Sequence, residues 1–176
     1  MKRSHSSRRG FLKASATALG AGVFGGPLIL SGAQARSTDA NSKLNLALVG
    51  CGGQGRGVMR GLLGSGANLT AICDPDPQML DRARADALEA GGESTRSAKA
   101  YGDYRRLLDD AASFDAVLIG TPDHWHAPLC KAFMKIGKHV YCEKPLTHSV
   151  AEARELRELA RNSRASATLC VSGFSQ

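Results

Sequence analysis

Nowhere in its 176 residues does the sequence hold the run of about 20 apolar residues that a membrane-crossing helix needs. It has no internal repeat, low-complexity tract or coiled-coil heptad, so neither a repeat array nor a fibrous assembly is expected. It also has no C-x-x-C pair. Cys51, Cys73, Cys130, Cys142 and Cys170 are odd in number and scattered through apolar or glycine-rich runs, which excludes a disulfide framework. At least three of them are expected in the core, where a thiol behaves as a small hydrophobe. Acidic residues are missing from the first 35 positions, which carry five of the 23 Lys and Arg. Beyond them 18 basic residues face 16 acidic ones, and the formal +7 of the whole chain falls to +2. With the basic excess confined to one terminal segment, nucleic acid loses its support as a partner. What is there, 43% hydrophobic and 22% charged residues, is the composition of one globular domain.

Residues 1–35 read as an address. A charged start is followed by a weakly apolar stretch, Ala16 to Leu30, containing four glycines and Pro27, and then by Ala33-Gln34-Ala35. Charged region, apolar region and small-x-small site together make a removable signal peptide. Arg8-Arg9-Gly10-Phe11-Leu12-Lys13 resembles the twin-arginine export signal of bacteria, a route for proteins already folded. Cleavage after Ala35, transient contact with the twin-arginine export machinery and a periplasmic or exported product are therefore expected. Residues 36–42 read as a linker, and residues 43–176 as the folded domain.

Within that domain short apolar runs alternate with longer amphipathic segments, the rhythm of a parallel sheet with helices on its faces. Six strands are predicted: Leu44 to Val49, Leu69 to Cys73, a weak one at Ala98 to Tyr101, Ala116 to Gly120, His139 to Cys142 and Ala167 to Val171. Helices are predicted over Gln54 to Leu63, Pro77 to Ala90, Tyr104 to Ala111, His124 to Ile136 and Val150 to Arg161. In the second, Leu80, Ala83 and Ala87 share a face, Pro77 suits the first turn and Gly91-Gly92 can stop the helix. In the last, Ser149 and Glu152 form an S-x-x-E capping box, and Val150, Ala153, Leu156 and Ala160 make the expected buried stripe. Its Arg and Glu residues are expected to be solvated.

The strongest chemical signal follows the first strand: Gly50-Cys51-Gly52-Gly53-Gln54-Gly55-Arg56-Gly57. Gly50, Gly52 and Gly55 satisfy G-x-G-x-x-G, which lets backbone N–H groups close on a pyrophosphate at a helix N-terminus. The motif alone also describes a flexible turn. Here it leaves a buried-type strand, opens a helix and is followed by a second strand ending at Asp74, whose carboxylate can accept from both ribose hydroxyls. Such an acid repels the extra phosphate of NADP, so NAD is expected; NADP stays open because Arg82 or Arg84 could receive that phosphate. Gly57, Gly61 and Gly64 each cost about 1 kcal/mol in a helix interior relative to alanine. Close packing against the sheet and the cofactor is the expected reason.

Two further loops leave carboxyl ends of strands, the edge where open α/β sheets bind ligands. The first is Gly120-Thr121-Pro122-Asp123-His124-Trp125-His126. Asp123 could cap the next helix. An H-x-H pair, His124 and His126, lacks the third ligand that zinc needs, so no metal is expected. Trp125 is either a packing residue or a stacking platform. The second loop presents Glu143-Lys144-Pro145, where Lys144 is a cation able to donate to a substrate hydroxyl.

Taken together, the glycine fingerprint, Tyr101 to Tyr104, Asp115 to His126 and Gly137 to Pro145 resemble the Gfo/Idh/MocA family of oxidoreductases. The resemblance covers nearly all of residues 43–172. It implies an α/β fold, a Rossmann-type, doubly wound, mainly parallel six-stranded sheet. It implies cofactor contacts at Gly50, Gly52, Gly53, Gln54, Gly55 and Asp74, with Thr121, Pro122, His126, Glu143 and Lys144 at the nicotinamide half. Lys144 and His126 are the candidates for catalysis. The family chemistry is reversible hydride transfer between a sugar or polyol carbon and NAD(P). Relatives carry a second, C-terminal α+β domain with the substrate pocket, the general base and usually the subunit interface, and this chain is expected to lack it. A carbohydrate would then be bound only if a second domain or chain supplied the rest, and a homo-oligomer remains open. Two alternatives accompany this reading: a truncated, non-catalytic nucleotide-binding protein, and the cofactor domain of an NAD-dependent glycoside hydrolase.

Overall fold

Alternation inside the short apolar runs divides the core in two. In β1 (Asn45–Val49), Leu46 and Leu48 enter one hydrophobic cluster while Ala47 and Val49 enter the other, as a strand period of two requires. All four are at most 4% exposed. A strand buried on both faces needs helices on both faces. The computed structural model describes residues 43–162 and 167–169. The predicted signal peptide, its cleavage site, the linker and Cys170 lie outside the described residues.

The remaining strands are β2 (Asn68–Cys73), β3 (Lys99–Tyr101), β4 (Ala116–Ile119), β5 (His139–Cys142) and β6 (Ala167–Leu169). They form one sheet of six in the order β3-β2-β1-β4-β5-β6, and every neighbouring pair is parallel. The helices are α1 (Gly53–Gly64), α2 (Pro77–Gly91), α3 (Tyr104–Asp109), α4 (His126–Lys135) and α5 (Val150–Asn162). Met59 and Leu63 of α1 and Ala83 and Ala87 of α2 pack on the Leu46/Leu48 face. Leu107 of α3, Phe133 of α4 and Leu156 of α5 pack on the other. The chain order reverses between β1 and β4, and that reversal places a crevice at their carboxyl ends.

Side-chain caps start three of the five helices. Asp76 accepts from Gln78 N at 2.8 Å with Pro77 in the first turn of α2, and Gly92, at φ 69°, ends that helix. Asp103 accepts from Arg105 N at 2.9 Å at the start of α3. The capping box of α5 is reciprocal, with Glu152 N on Ser149 Oγ at 3.2 Å and Ser149 N on Glu152 Oε2 at 3.0 Å.

Three expectations are corrected. Asp123 does not cap α4: it begins a short 3-10 turn, Asp123–Trp125, and α4 starts after Trp125 without a side-chain cap. The buried stripe of α5 reduces to Leu156, with Leu159 partly covered, whereas Val150, Ala153 and Ala160 are exposed. Glycines 57, 61 and 64 do not pack closely: a Cβ on any of them would meet nothing within 4 Å. The Arg and Glu residues of α5 are solvated as expected, with exposed pairs such as Arg161–Glu158 at 3.2 Å.

Candidate functional site: a cleft at the carboxyl edge of the sheet

Tight backbone contact builds the floor of the site. Gly50 leaves β1 at φ 87°, and a Cβ there would stand 2.6 Å from Thr121 N. A Cβ on Gly120 would stand 2.6 Å from Gly55 Cα, and one on Gly55 would run into the Gly50 carbonyl oxygen. Three glycines thus bring the β1 loop, the first turn of α1 and the end of β4 into mutual contact, at positions where any side chain would push them apart. Gly50 N donates to Cys73 O at 2.9 Å and Gly120 N to Val49 O at 2.8 Å, closing the floor.

Gly52 and Gly53, by contrast, leave open space where a side chain would be. They line a cleft of about 810 Å³ together with Gly50, Gln54, Asp74 and Thr121. The N-terminus of α1 opens onto it with Gly52 as cap residue, no side-chain cap and no acid in the first turn. The first helical bond, Arg56 N to Gly52 O at 3.0 Å, leaves the amides of Gly53, Gln54 and Gly55 without helical acceptors. Unmet amide donors at the positive end of a helix dipole form a site for an anion. An ion pair, Arg56 to Asp86 at 2.7 Å, ties α1 to α2 behind this turn.

Asp74 faces the same cleft from the end of β2. Its Oδ2 accepts from Cys51 N at 2.8 Å and its Oδ1 from Asp76 N at 2.9 Å, so the carboxylate pins the glycine loop while keeping lone pairs for a ligand. Cys51 and Cys73 flank it beneath the loop. Burial first, and then the negative charge of Asp74, push both thiols up to about 12, so they stay neutral. Cys130 and Cys142 are buried as well, which bears out the core reading for these four.

Around the β4 loop the picture differs from the sequence expectation. Thr121 and Pro122 line the cleft, and Thr121 Oγ1 is buried without a hydrogen-bond partner among the described residues. His126 is not a free group: it is 1% exposed, its Nδ1 lies 2.6 Å from Pro145 O and its Nε2 2.8 Å from Thr121 O. That engagement removes it as the candidate base and as one half of an H-x-H metal pair. Glu143 is 3% exposed, and neither carboxylate oxygen has a partner among the described residues. Lys144 is exposed and makes no ion pair among them, and neither it nor Glu143 lines the cleft. Of the residues named from the sequence, Gly50, Gly52, Gly53, Gln54, Asp74, Thr121 and Pro122 line this one cleft, while Gly55 is packed behind the lining.

Sequence reasoning gave no role to another part of the cleft, apart from leaving Trp125 open between packing and stacking. Met79, Tyr104, Arg105 and Trp125 line it. Trp125 is 39% exposed and meets Tyr104 edge-on at 6.0 Å, and the Arg105 guanidinium lies 5.0 Å over the Tyr104 ring. The signal was present, since Tyr104 lies three residues past the carboxyl end of β3. Arg82 and Arg84, the residues considered for an NADP phosphate, are exposed and lie outside the lining.

A doubly wound parallel sheet with a glycine-floored, uncapped helix N-terminus and an acid at the end of β2 defines a dinucleotide-binding Rossmann domain. The chain belongs to the Gfo/Idh/MocA oxidoreductase family: the family model, an oxidoreductase family with an NAD-binding Rossmann fold, matches residues 44–170. It is similar to a glycosyl hydrolase family 109 protein of Shewanella amazonensis, 32% identical over 169 residues, covering 87% of this chain and 36% of that protein. It is also similar to inositol 2-dehydrogenase 1 of Saccharopolyspora erythraea, 37% identical over 125 residues, covering 69% of this chain and 35% of that protein. Among solved structures it resembles an oxidoreductase from Agrobacterium radiobacter in complex with NAD+, L-tartaric acid and magnesium. That match has a TM-score of 0.58 and 26% identity over 73% of this chain and 35% of the other. The chain spans about a third of the length of the curated relatives it matches.

Proposed function

We propose that this chain is the cofactor-binding portion of an exported oxidoreductase that moves hydride between a nicotinamide cofactor and a sugar, polyol or related carbohydrate. One observation carries the reading: the uncapped, glycine-bounded N-terminus of α1 opens onto the same cleft as Asp74. Carbohydrate as the substrate class is supported by the similarity to an inositol 2-dehydrogenase. Export is supported by Arg8-Arg9-Gly10-Phe11-Leu12-Lys13, with residues 1–35 as a removable signal, 36–42 as linker and 43–176 as the binding domain.

The residues fit a nicotinamide dinucleotide. The amides of Gly53 and Gln54 meet the pyrophosphate, and Gly52 and Gly53 leave room for it. Asp74 accepts from the adenosine ribose diol. Because Asp74 and Asp76 line the cleft just past the carboxyl end of β2, a 2′-phosphate is disfavoured and NAD is the preferred cofactor. The buried, unpartnered Glu143 carboxylate and Thr121 hydroxyl have hydrogen-bonding capacity to spend on the nicotinamide half, beside Pro122. When bound, the nicotinamide ring takes up or gives back the hydride. Lys144, exposed and unpaired among the described residues, donates to the substrate oxygen, while the base that takes the hydroxyl proton comes from a second domain or chain.

Thermal unfolding of the purified chain with and without millimolar NAD or NADP tests the binding. A native-state ligand at 100 times its Kd stabilises by about 2.7 kcal/mol. A rise in Tm with NAD that exceeds the rise with NADP is expected, and no rise with either overturns the proposal. A second reading, the cofactor domain of an NAD-dependent glycosidase, is favoured by the similarity to a glycosyl hydrolase family 109 protein. Release of sugar by the complete protein without net NADH singles that reading out.

A further inference from the structure

His126 is held in a way that neither catalysis nor cofactor contact explains. It opens α4 with its ring buried, and both ring nitrogens lie within hydrogen-bond distance of backbone carbonyl oxygens, Pro145 O at 2.6 Å and Thr121 O at 2.8 Å. Carbonyl oxygens only accept. A neutral imidazole has one N–H and one lone pair, so it satisfies one of these contacts and turns a lone pair toward the other oxygen. Only a ring with a proton on each nitrogen donates to both.

The two carbonyls belong to different loops at the carboxyl edge. Thr121 follows β4 and Pro145 follows β5, so the ring spans the gap between the loop that lines the cleft and the loop that carries Lys144. The charged and titratable groups on these loops are Asp123 and His124 on one, Glu143, Lys144 and His148 on the other, and of the five only Glu143 is buried. Its carboxylate has no hydrogen-bond partner among the described residues and sits two residues from the carbonyl that His126 grips.

We propose that His126 is a doubly protonated strut, a positioning residue that cross-links the Thr121 and Pro145 backbones and so sets the placement of Glu143 and Lys144. The functional consequence rests on the reading above, in which these loops hold the nicotinamide half of the cofactor.

The test uses the whole chain labelled with 15N-histidine, with the His126 resonances assigned by their loss in His126→Gln. Long-range 1H–15N spectra report the proton on each ring nitrogen directly. Protons on both Nδ1 and Nε2 are expected, and a single bare nitrogen overturns the strut. Binding supplies the second arm, because ADP-ribose has every part of NAD except the nicotinamide. His126→Gln is expected to weaken NAD about tenfold, equivalent to ~1.4 kcal/mol, while ADP-ribose binds as before. Equal loss of both ligands, or of neither, overturns the positioning role. A wild-type chain that binds neither ligand refutes the proposed function, and the ring spectrum still decides the strut.

Discussion

A methyl group added at Gly55 would run into the Gly50 carbonyl oxygen with Leu48 Cδ1 at 3.3 Å beyond it, whereas one added at Gly57 meets nothing within 4 Å. Gly55→Ala is therefore expected to destabilise the fold by about 1–3 kcal/mol through overpacking. Gly57→Ala should stabilise it by about 1 kcal/mol, the ordinary helix-interior difference. Urea unfolding of the two variants, two positions apart, checks both signs. At Asp74 the carboxylate has two duties, holding Cys51 N and facing the ligand. Asp74→Asn keeps an acceptor for the amide but removes the charge, so calorimetric titration should show the preference for NAD over NADP narrowing about tenfold, ~1.4 kcal/mol. Cys51 and Cys73, pushed up to about 12 by burial, expose almost no thiolate at pH 8. Iodoacetamide should leave both unmodified in the native chain and label them after denaturation, as read by peptide mass spectrometry.

Elements were more legible than their surroundings. All six predicted strands and five predicted helices have a counterpart among the described residues, although α4 starts two residues later than predicted, because short apolar runs and amphipathic segments are local facts. The α5 stripe was misread for a physical reason: periodicity shows which face of a helix is apolar, not whether anything covers it, and Val150 stands 68% exposed. Propensity likewise marked Gly57, Gly61 and Gly64 as costly without revealing that they face open space. At the sheet edge Asp110 accepts from Lys99 Nζ at 2.8 Å and Tyr101 Oη at 2.6 Å, tying β3 to the turn after α3. The Lys99 bond first, and then the Tyr101 bond, lower its carboxyl from 3.8 to about 2. A depressed folded-state value stabilises above the unfolded value and loses that contribution as pH falls through the folded one. Stability should accordingly fall between pH 3.8 and about 2, and Asp110→Asn should flatten the decline in chemical denaturation over that window.

For the molecule as a whole, the crevice was legible because a parallel sheet puts its ligand loops at one edge, and the sequence marks the lining loops with glycine and Thr121-Pro122. Contacts between distant segments were not legible: Gly55 against Gly120, Arg56 on Asp86 and His126 on Pro145 exist only once the sheet has ordered the loops. The single tryptophan, open between packing and stacking in the sequence, lines the cleft and is partly exposed. Intrinsic fluorescence should be quenched on addition of NADH, with energy transfer to the reduced nicotinamide, and an unchanged emission would place the ligand elsewhere. A last consequence follows from β3, which closes one side of the sheet with three residues, one of them the exposed Lys99. Such a border offers too few free amides, and too much charge, to template a strand from another molecule. Along that border the described residues leave another molecule little to pair with.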